Sequence, residues 1–153
     1  DKTNFKTTAV KKDKEEHYIM IKGLVQKENT IILNIYAPNT GTPKCIEQLL
    51  LHLSNETDSN TIIVGDFNTP LTILDRSSRQ KVNKETMDLN CTLEQMDLTD
   101  LYITFYPTTT EYTFYSSAYA TFSRIDHMIC HKQVSKKLRK LKLCQLLSQS
   151  TVE

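Results

Sequence analysis

Asp66 and Asn68 stand two positions apart at the end of the stretch Thr61-Ile-Ile-Val-Gly-Asp-Phe-Asn68. A carboxylate in that place can accept a proton from water or hold a metal. An amide beside it can orient the same water or donate to a phosphate oxygen. The β-branched apolar run before them reads as a buried strand, with Gly65 relieving the backbone at its end. Residues i and i+2 of a strand point the same way, so Asp66 and Asn68 project together while Phe67 turns into the core. A plain Asp/Asn turn after a strand is the competing reading, and it needs no chemistry.

Other polar residues fall at strand ends or in adjacent loops. Tyr36 ends a strand just before the Pro38 loop that carries Asn39. Thr113 lies in one late strand and Asp126 in the next, with Ser123 and Arg124 beside it. Tyr36 also fits a wedge between core and water. Asp126, between Ile125 and Met128, is expected either to pair with a buried cation or to do chemistry, because an unpaired buried carboxylate is costly. Arg76, Arg79, Lys81 and Lys84 form one basic cluster; Lys132, Lys136, Lys137, Arg139, Lys140 and Lys142 form another. These are either solvated faces or phosphate-binding patches.

The elements that must position these groups follow from periodicity. His17–Gly23 and Thr30–Tyr36 read as an antiparallel pair with a loose connection. Residues 37–43 form a loop, and Thr42-Pro43 starts a helix with Thr as cap and Pro at the first helical position. Cys45, Ile46, Leu49, Leu50 and Leu53 give that helix an apolar face. A second helix begins at Asn83 or Lys84 and is closed by 97–102. Residues 111–115 and 122–130 read as strands around a hairpin tip at 116–121, and 137–147 as a last β-like or helical segment. Strand–helix–strand order with strands dominating gives an α/β or α+β class.

The 153 residues suit one domain spanning 1–153, and a net charge of +1 says nothing about partners. Four scattered cysteines without a C-x-x-C pair argue against a zinc site or disulfide framework and suit a reduced intracellular compartment, nuclear or cytoplasmic. No apolar run reaches membrane-spanning length, so no membrane partner is expected.

The strings Ile32-Leu-Asn-Ile-Tyr-Ala-Pro-Asn-Thr-Gly41, Gly65-Asp-Phe-Asn-Thr-Pro-Leu71, Leu74-Asp-Arg-Ser-Ser-Arg-Gln-Lys-Val-Asn83, Glu111-Tyr-Thr-Phe114 and Arg124-Ile-Asp-His-Met-Ile129 carry a family resemblance. Together they resemble the endonuclease/exonuclease/phosphatase superfamily. More narrowly, they resemble the apurinic-like endonuclease domain of the LINE-1 retrotransposon second open reading frame protein. The resemblance implies a sandwich of two β-sheets flanked by helices, and Mg²⁺-dependent in-line attack of water on a DNA phosphodiester. In the intact element the nick primes reverse transcription, so DNA is the implied partner, with the reverse transcriptase domain and element RNA in a longer product. By the same resemblance Asp66 orients or deprotonates the water, Asn68 holds it or a phosphate oxygen, Tyr36 sits near the scissile phosphate and Asp126 orients a catalytic histidine. Asn39 and Arg76 touch DNA near the cut. The segment from Thr113 to Asp126, with Ser123 and Arg124, reaches the minor groove.

The chain departs from the pattern in two places. Asp1 aligns past the family's opening strand and its metal-binding Glu, so the fold is expected to be incomplete and the metal ligands stay unassigned. Residues Leu147-Ser148-Gln149-Ser150 stand where the family carries Ser-Asp-His. The expectation is a DNA-nicking endonuclease fragment inactive on its own. The alternatives are a non-catalytic nucleic-acid-binding remnant or a decayed, marginally folded coding sequence, with a phosphatase or sphingomyelinase a weaker option.

Overall fold

The computed structural model describes residues 5–25, 27–78, 81–108 and 111–139. Its strands are β1 (Lys6–Lys12), β2 (Tyr18–Val25), β3 (Glu28–Tyr36), β4 (Thr61–Asp66), β5 (Leu98–Asp100), β6 (Phe114–Ser116), β7 (Thr121–Ser123) and β8 (Asp126–His131). The helices are α1 (Thr42–His52), α2 (Lys84–Gln95) and α3 (Leu101–Phe105), with a 3₁₀ turn at Ile73–Asp75. Six strands form one sheet in the order β1-β2-β3-β4-β8-β5, and β6-β7 form a separate hairpin. Mixed α/β structure with two sheets and helices is therefore what the sequence adopts.

The β3–β4 pair is parallel and is bridged by α1, while the other neighbours in the large sheet are antiparallel. A parallel pair needs such a crossover. Alternation along β3 sends Ile31, Leu33 and Ile35 to one face. There they meet Ile46 and Leu50 of α1, Leu53 at its C-terminal cap, Leu89 and Leu93 of α2, and Met20, Ile63 and Ile129 from other strands of the sheet. The opposite face carries the in-register row Val10–Ile21–Ile32–Ile62.

Local chemistry explains where elements differ from expectation. Thr42 is the first helical residue of α1 rather than its cap. Gly41 takes the cap at a left-handed φ of 64°, and the Thr42 hydroxyl donates back to the Pro38 carbonyl. Val25 pairs with Glu28, so the β2–β3 connection is tighter than expected. Strand β1 lay in a polar, lysine-rich stretch that shows no apolar alternation; it is an exposed edge with a bulge between Thr7 and Ala9. The end of α2 does not run out through 97–102. Asp97 reverses the chain at φ 58°, β5 follows, and Asp100 caps α3 by accepting from the Tyr102 amide at 2.9 Å.

The single strand expected over 122–130 divides into β7 and β8, because Arg124 and Ile125 leave both ladders. Residues 117–120 form the turn of the β6–β7 hairpin, at the expected tip. Residues 132–139 are helical; 140–147, with Lys140 and Lys142, and the Leu147–Ser150 stretch lie outside the described residues, as does Arg79.

Gly65 is a sheet position where both backbone angle and space call for glycine. Its φ is +143°, and an added Cβ would meet the Ile35 carbonyl oxygen at 2.0 Å. Gly65→Ala is expected to lose about 2 kcal/mol or more of unfolding free energy in urea, since both the φ and the backbone contact oppose it.

Candidate active site

Strand register builds the site. Tyr36 of β3 is the partner of Asp66 in β4, and Asp66 is the partner of Asp126 in β8. Neighbouring strands lie about 4.8 Å apart, so the three side chains form one row across the end of the sheet. Tyr36 is 62% exposed, Asp126 is exposed and Asp66 is half-buried.

Asp66 and Asn68 do come together, by a turn rather than by strand alternation. Strand β4 ends at Asp66, and Asn68 takes a left-handed φ of 51° that asparagine tolerates better than most residues. Its amide donates to Asp66 Oδ1 at 2.8 Å, and its side-chain Nδ2 donates to Asn39 Oδ1. Phe67 is fully buried, as expected, and its amide donates to the Ile125 carbonyl at 2.9 Å. The segment is thus a turn after a strand, with the Asp66 carboxylate and the Asn68 amide side by side on it.

A hollow of about 410 Å³ beside β2 and β3 touches none of these residues. Two others lie nearer the row, one walled by the β6–β7 hairpin and one reaching Asp66 and Asp126 themselves. A hollow of about 510 Å³ is lined by Asn68, Arg76, Ser123, Phe114 and Tyr119. Another of about 370 Å³ is lined by Asp66, Asp126, Thr113 and Tyr102. The Thr113 hydroxyl accepts from the Ile125 amide at 3.1 Å and its own amide donates to the Ser123 carbonyl, so it ties the hairpin to β8. Arg76 bridges to Ser123 across the hairpin base.

Two expectations need correction. Asp126 is not the buried carboxylate of this region. The parity of β8 turns His127 and Ile129 inward and leaves Asp126 and Met128 outward. Arg124 does not face solvent either: it is 3% exposed and its guanidinium is held by Asp75 and Asp100. Its NH2 nitrogen lies 2.9 Å from Asp75 Oδ1 and 2.7 Å from Asp100 Oδ2, and Tyr102 lies 4.6 Å from the guanidinium carbon at its ring centroid. Asp75, Asp100 and His127 were missed in the sequence. Asp75 sits in the string Leu74-Asp-Arg and Asp100 between Leu98 and Leu101; acidic residues inside apolar neighbourhoods were the available signal.

Burial by itself pushes the Asp100 carboxyl upward, but hydrogen bonds from His127 and Arg124, with the Arg124 charge, outweigh it and hold the group below its ordinary range. Burial likewise lowers Arg124, and its bonds to Asp100 and the charges of Asp100 and Asp75 leave it raised. Burial, with the charge of Asp100, pushes the Cys130 thiol up to about 11, which leaves it an inert thiol at neutral pH.

The basic clusters divide. Arg76 lines the larger hollow, and Lys81 and Lys84 are exposed. Lys132 follows the end of β8 remote from Asp126 and donates to Glu94, so the second cluster begins away from the row. No three His, Cys, Asp or Glu side chains are grouped with metal-binding geometry among the described residues. Mg²⁺ is commonly held by one or two carboxylates together with waters and substrate phosphates; the row offers Asp66 and Asp126, with Asp66 Oδ1 already accepting from the Asn68 amide.

Residues 5–141 match the model of the Endonuclease/Exonuclease/phosphatase family. The fold is similar to that of the endonuclease domain of TRAS1, a telomere-specific non-LTR retrotransposon, with a TM-score of 0.60 at 13% identity over 82% of this chain and 54% of that one. It is also similar to D. rerio TDP2 complexed with single strand DNA product, with a TM-score of 0.56 at 10% identity over 84% of this chain and 55% of that one. C. elegans TDP2 matches with a TM-score of 0.51 at 9% identity over 82% of this chain and 40% of that one. The chain spans about half the length of the first two structures that it matches. It belongs to the Endonuclease/Exonuclease/phosphatase family.

Removing one member of a buried ion cluster strands the others. Arg124→Met is expected to cost about 3–5 kcal/mol in urea unfolding at neutral pH. The Asp100 shift sets a pH window. A lowered carboxyl contributes stability that is fully present above its unfolded value, about 3.9, and is lost as pH falls through the folded value. The stability gap between the natural chain and Asp100→Asn is therefore expected to be widest near neutrality and to close below about pH 4, as read from urea curves across that range.

Proposed function

We propose that this chain is a LINE-1-type endonuclease domain fragment that holds a DNA phosphodiester at the Tyr36–Asp66–Asp126 row and does not hydrolyse it alone. The observation that carries this reading is the in-register row itself, with the Asn39–Asn68 pair and the Arg76 hollow beside it. In the intact element's reaction, a water oxygen attacks phosphorus in line, its proton goes to Asp66, and the 3′ oxygen leaves. In this reading Asn68 and Tyr36 donate to phosphate oxygens, and Asp126 stands on the other side of Asp66. Asn39, Arg76, Thr113 and Ser123 line the path of the DNA. Arg124 supports that surface from beneath rather than touching DNA.

Phosphoryl transfer draws most of its rate from charges placed around the developing transition state. Among the described residues, the Asp66–Asp126 pair, with Asp66 accepting from the Asn68 amide, and the Arg76 guanidinium at the neighbouring hollow are offered for this purpose. That favours the second reading, a non-catalytic nucleic-acid-binding remnant, for the chain by itself. Divalent metal, a reverse transcriptase domain, element RNA and a nuclear or cytoplasmic place belong to the proposal for a longer product.

Binding to a short duplex is expected to weaken steeply as salt rises. Arg76→Ala is expected to reduce the slope of log affinity against log salt by about 1, measured by fluorescence anisotropy. Affinity that ignores salt would remove the reading. In Mg²⁺, the chain is expected to nick supercoiled plasmid no faster than its Asp66→Ala variant. Robust nicking that depends on Asp66 would show that the residues present suffice.

A further inference from the structure

The turn that carries Asn68 is closed by a circuit of buried side chains that the row does not use. His127, with no side-chain exposure, faces the Thr69 carbonyl with Nε2 at 2.9 Å and Asp100 Oδ2 with Nδ1 at 3.1 Å. Asp100 Oδ2 also accepts from Arg124 at 2.7 Å, and Arg124 Nε donates to Asp75 Oδ1 at 3.0 Å. The other oxygen of Asp75 accepts from the amides of Leu71 and Thr72, both at 3.0 Å. The path from Thr69 through His127, Asp100, Arg124 and Asp75 thus returns to the backbone two residues later, at Leu71. Thr69, Leu71, Asp75, Asp100, Arg124 and His127 are all buried.

We propose that His127 is a positioning residue for the Asp66–Asn68 turn, acting through this circuit; the proposal rests on the functional reading above. The geometry supplies the reason. Strand β4 holds the turn by its ladder up to Asp66, and the Phe67 amide bonds to Ile125. Beyond that, Asn68 has left the sheet at a positive φ, and its own bonds go to Asp66 and Asn39, which are themselves on the surface of the site. The next backbone group fixed from the interior is the Thr69 carbonyl, and His127 fixes it. The ring is itself oriented from three sides: by Asp100, by Thr69 and by Phe67, whose ring lies 5.2 Å away at 54°. Both nitrogens face oxygen atoms of neighbouring groups, and the Thr69 carbonyl can only accept, so Nε2 is the donor to it. A low-dielectric setting makes each of these bonds strong when made and costly when lost.

The test needs two measurements on the full chain. In the natural protein, imidazole ¹⁵N–¹H spectra should show a His127 Nε2 proton that exchanges slowly with water, in contrast to exposed His52. In His127→Phe, which keeps a ring beside Phe67 and loses both polar bonds, amide exchange of Phe67 and Asn68 should quicken about tenfold or more. Amides of Leu33 and Ile63 in the sheet core should exchange as before, and affinity for a short duplex should fall.

A Nε2 proton that exchanges as fast as that of His52 overturns the proposal, and does so even if the variant fails to fold. So does an unchanged turn, or an acceleration shared equally by Leu33 and Ile63, which would make His127 structural only. Absence of DNA binding by the natural chain, with the slow proton and the selective exchange intact, counts against the functional reading alone.

Discussion

The placement of Arg124 constrains the end of the sheet where Tyr36, Asp66 and Asp126 lie. A guanidinium with almost no exposure must find carboxylates, and it finds one from the 3₁₀ turn and one from the end of β5. Its amide donates to the Asp75 carbonyl at 2.8 Å, so backbone and side chain pull the same two segments together. Three pieces of chain far apart in sequence are thereby fixed against one another. Replacing such a cluster with well-packed apolar groups is often neutral or stabilising in other proteins. Its contribution here lies in specifying one arrangement: β8 leaves the cluster with its parity set, which puts His127 inside and Asp126 in line with Asp66 and Tyr36.

The outer face of the large sheet changes character along the strands. The row Val10–Ile21–Ile32–Ile62 is apolar, the next contains Ile19, Asn34, Val64 and Met128, and the last is Tyr36, Asp66 and Asp126. The Tyr36–Asp66–Asp126 row lies at the end where β3 and β4 run out and β8 begins. Parallel β3 and β4 finish at this end together because α1 carries the chain back between them, and antiparallel β8 starts there. Topology thus gathers groups from three strands without any one loop having to carry them.

Much of this was legible in the sequence. The run Thr61-Ile-Ile-Val64 has strand character in every residue, Gly65 marks the close approach to Ile35, and Asp66 and Asn68 follow it. The α1 apolar face and the start of α2 at Asn83 or Lys84 were equally direct, since both follow from local sequence. The failures were those in which distant partners decide. Nothing near Arg124 tells that Asp75 and Asp100 wait for it, and without them an arginine beside a serine reads as a surface group. The parity of Asp126 depended on knowing that two residues leave the ladder. The shift at Thr42 depended on Gly41 taking a left-handed cap, and β1 is a strand because β2 offers it an edge.

The proposed function holds DNA at the end of the sheet where the row lies. Its most direct test is a map of backbone chemical-shift changes on titrating a short duplex into the isotope-labelled chain. The account predicts changes gathered at Tyr36, Asn39, Asn68, Arg76, Thr113 and Ser123, with Val25, Asn60 and His131 at the opposite end unmoved. Changes centred on that opposite end, or spread along the apolar rows of the outer face, would contradict it.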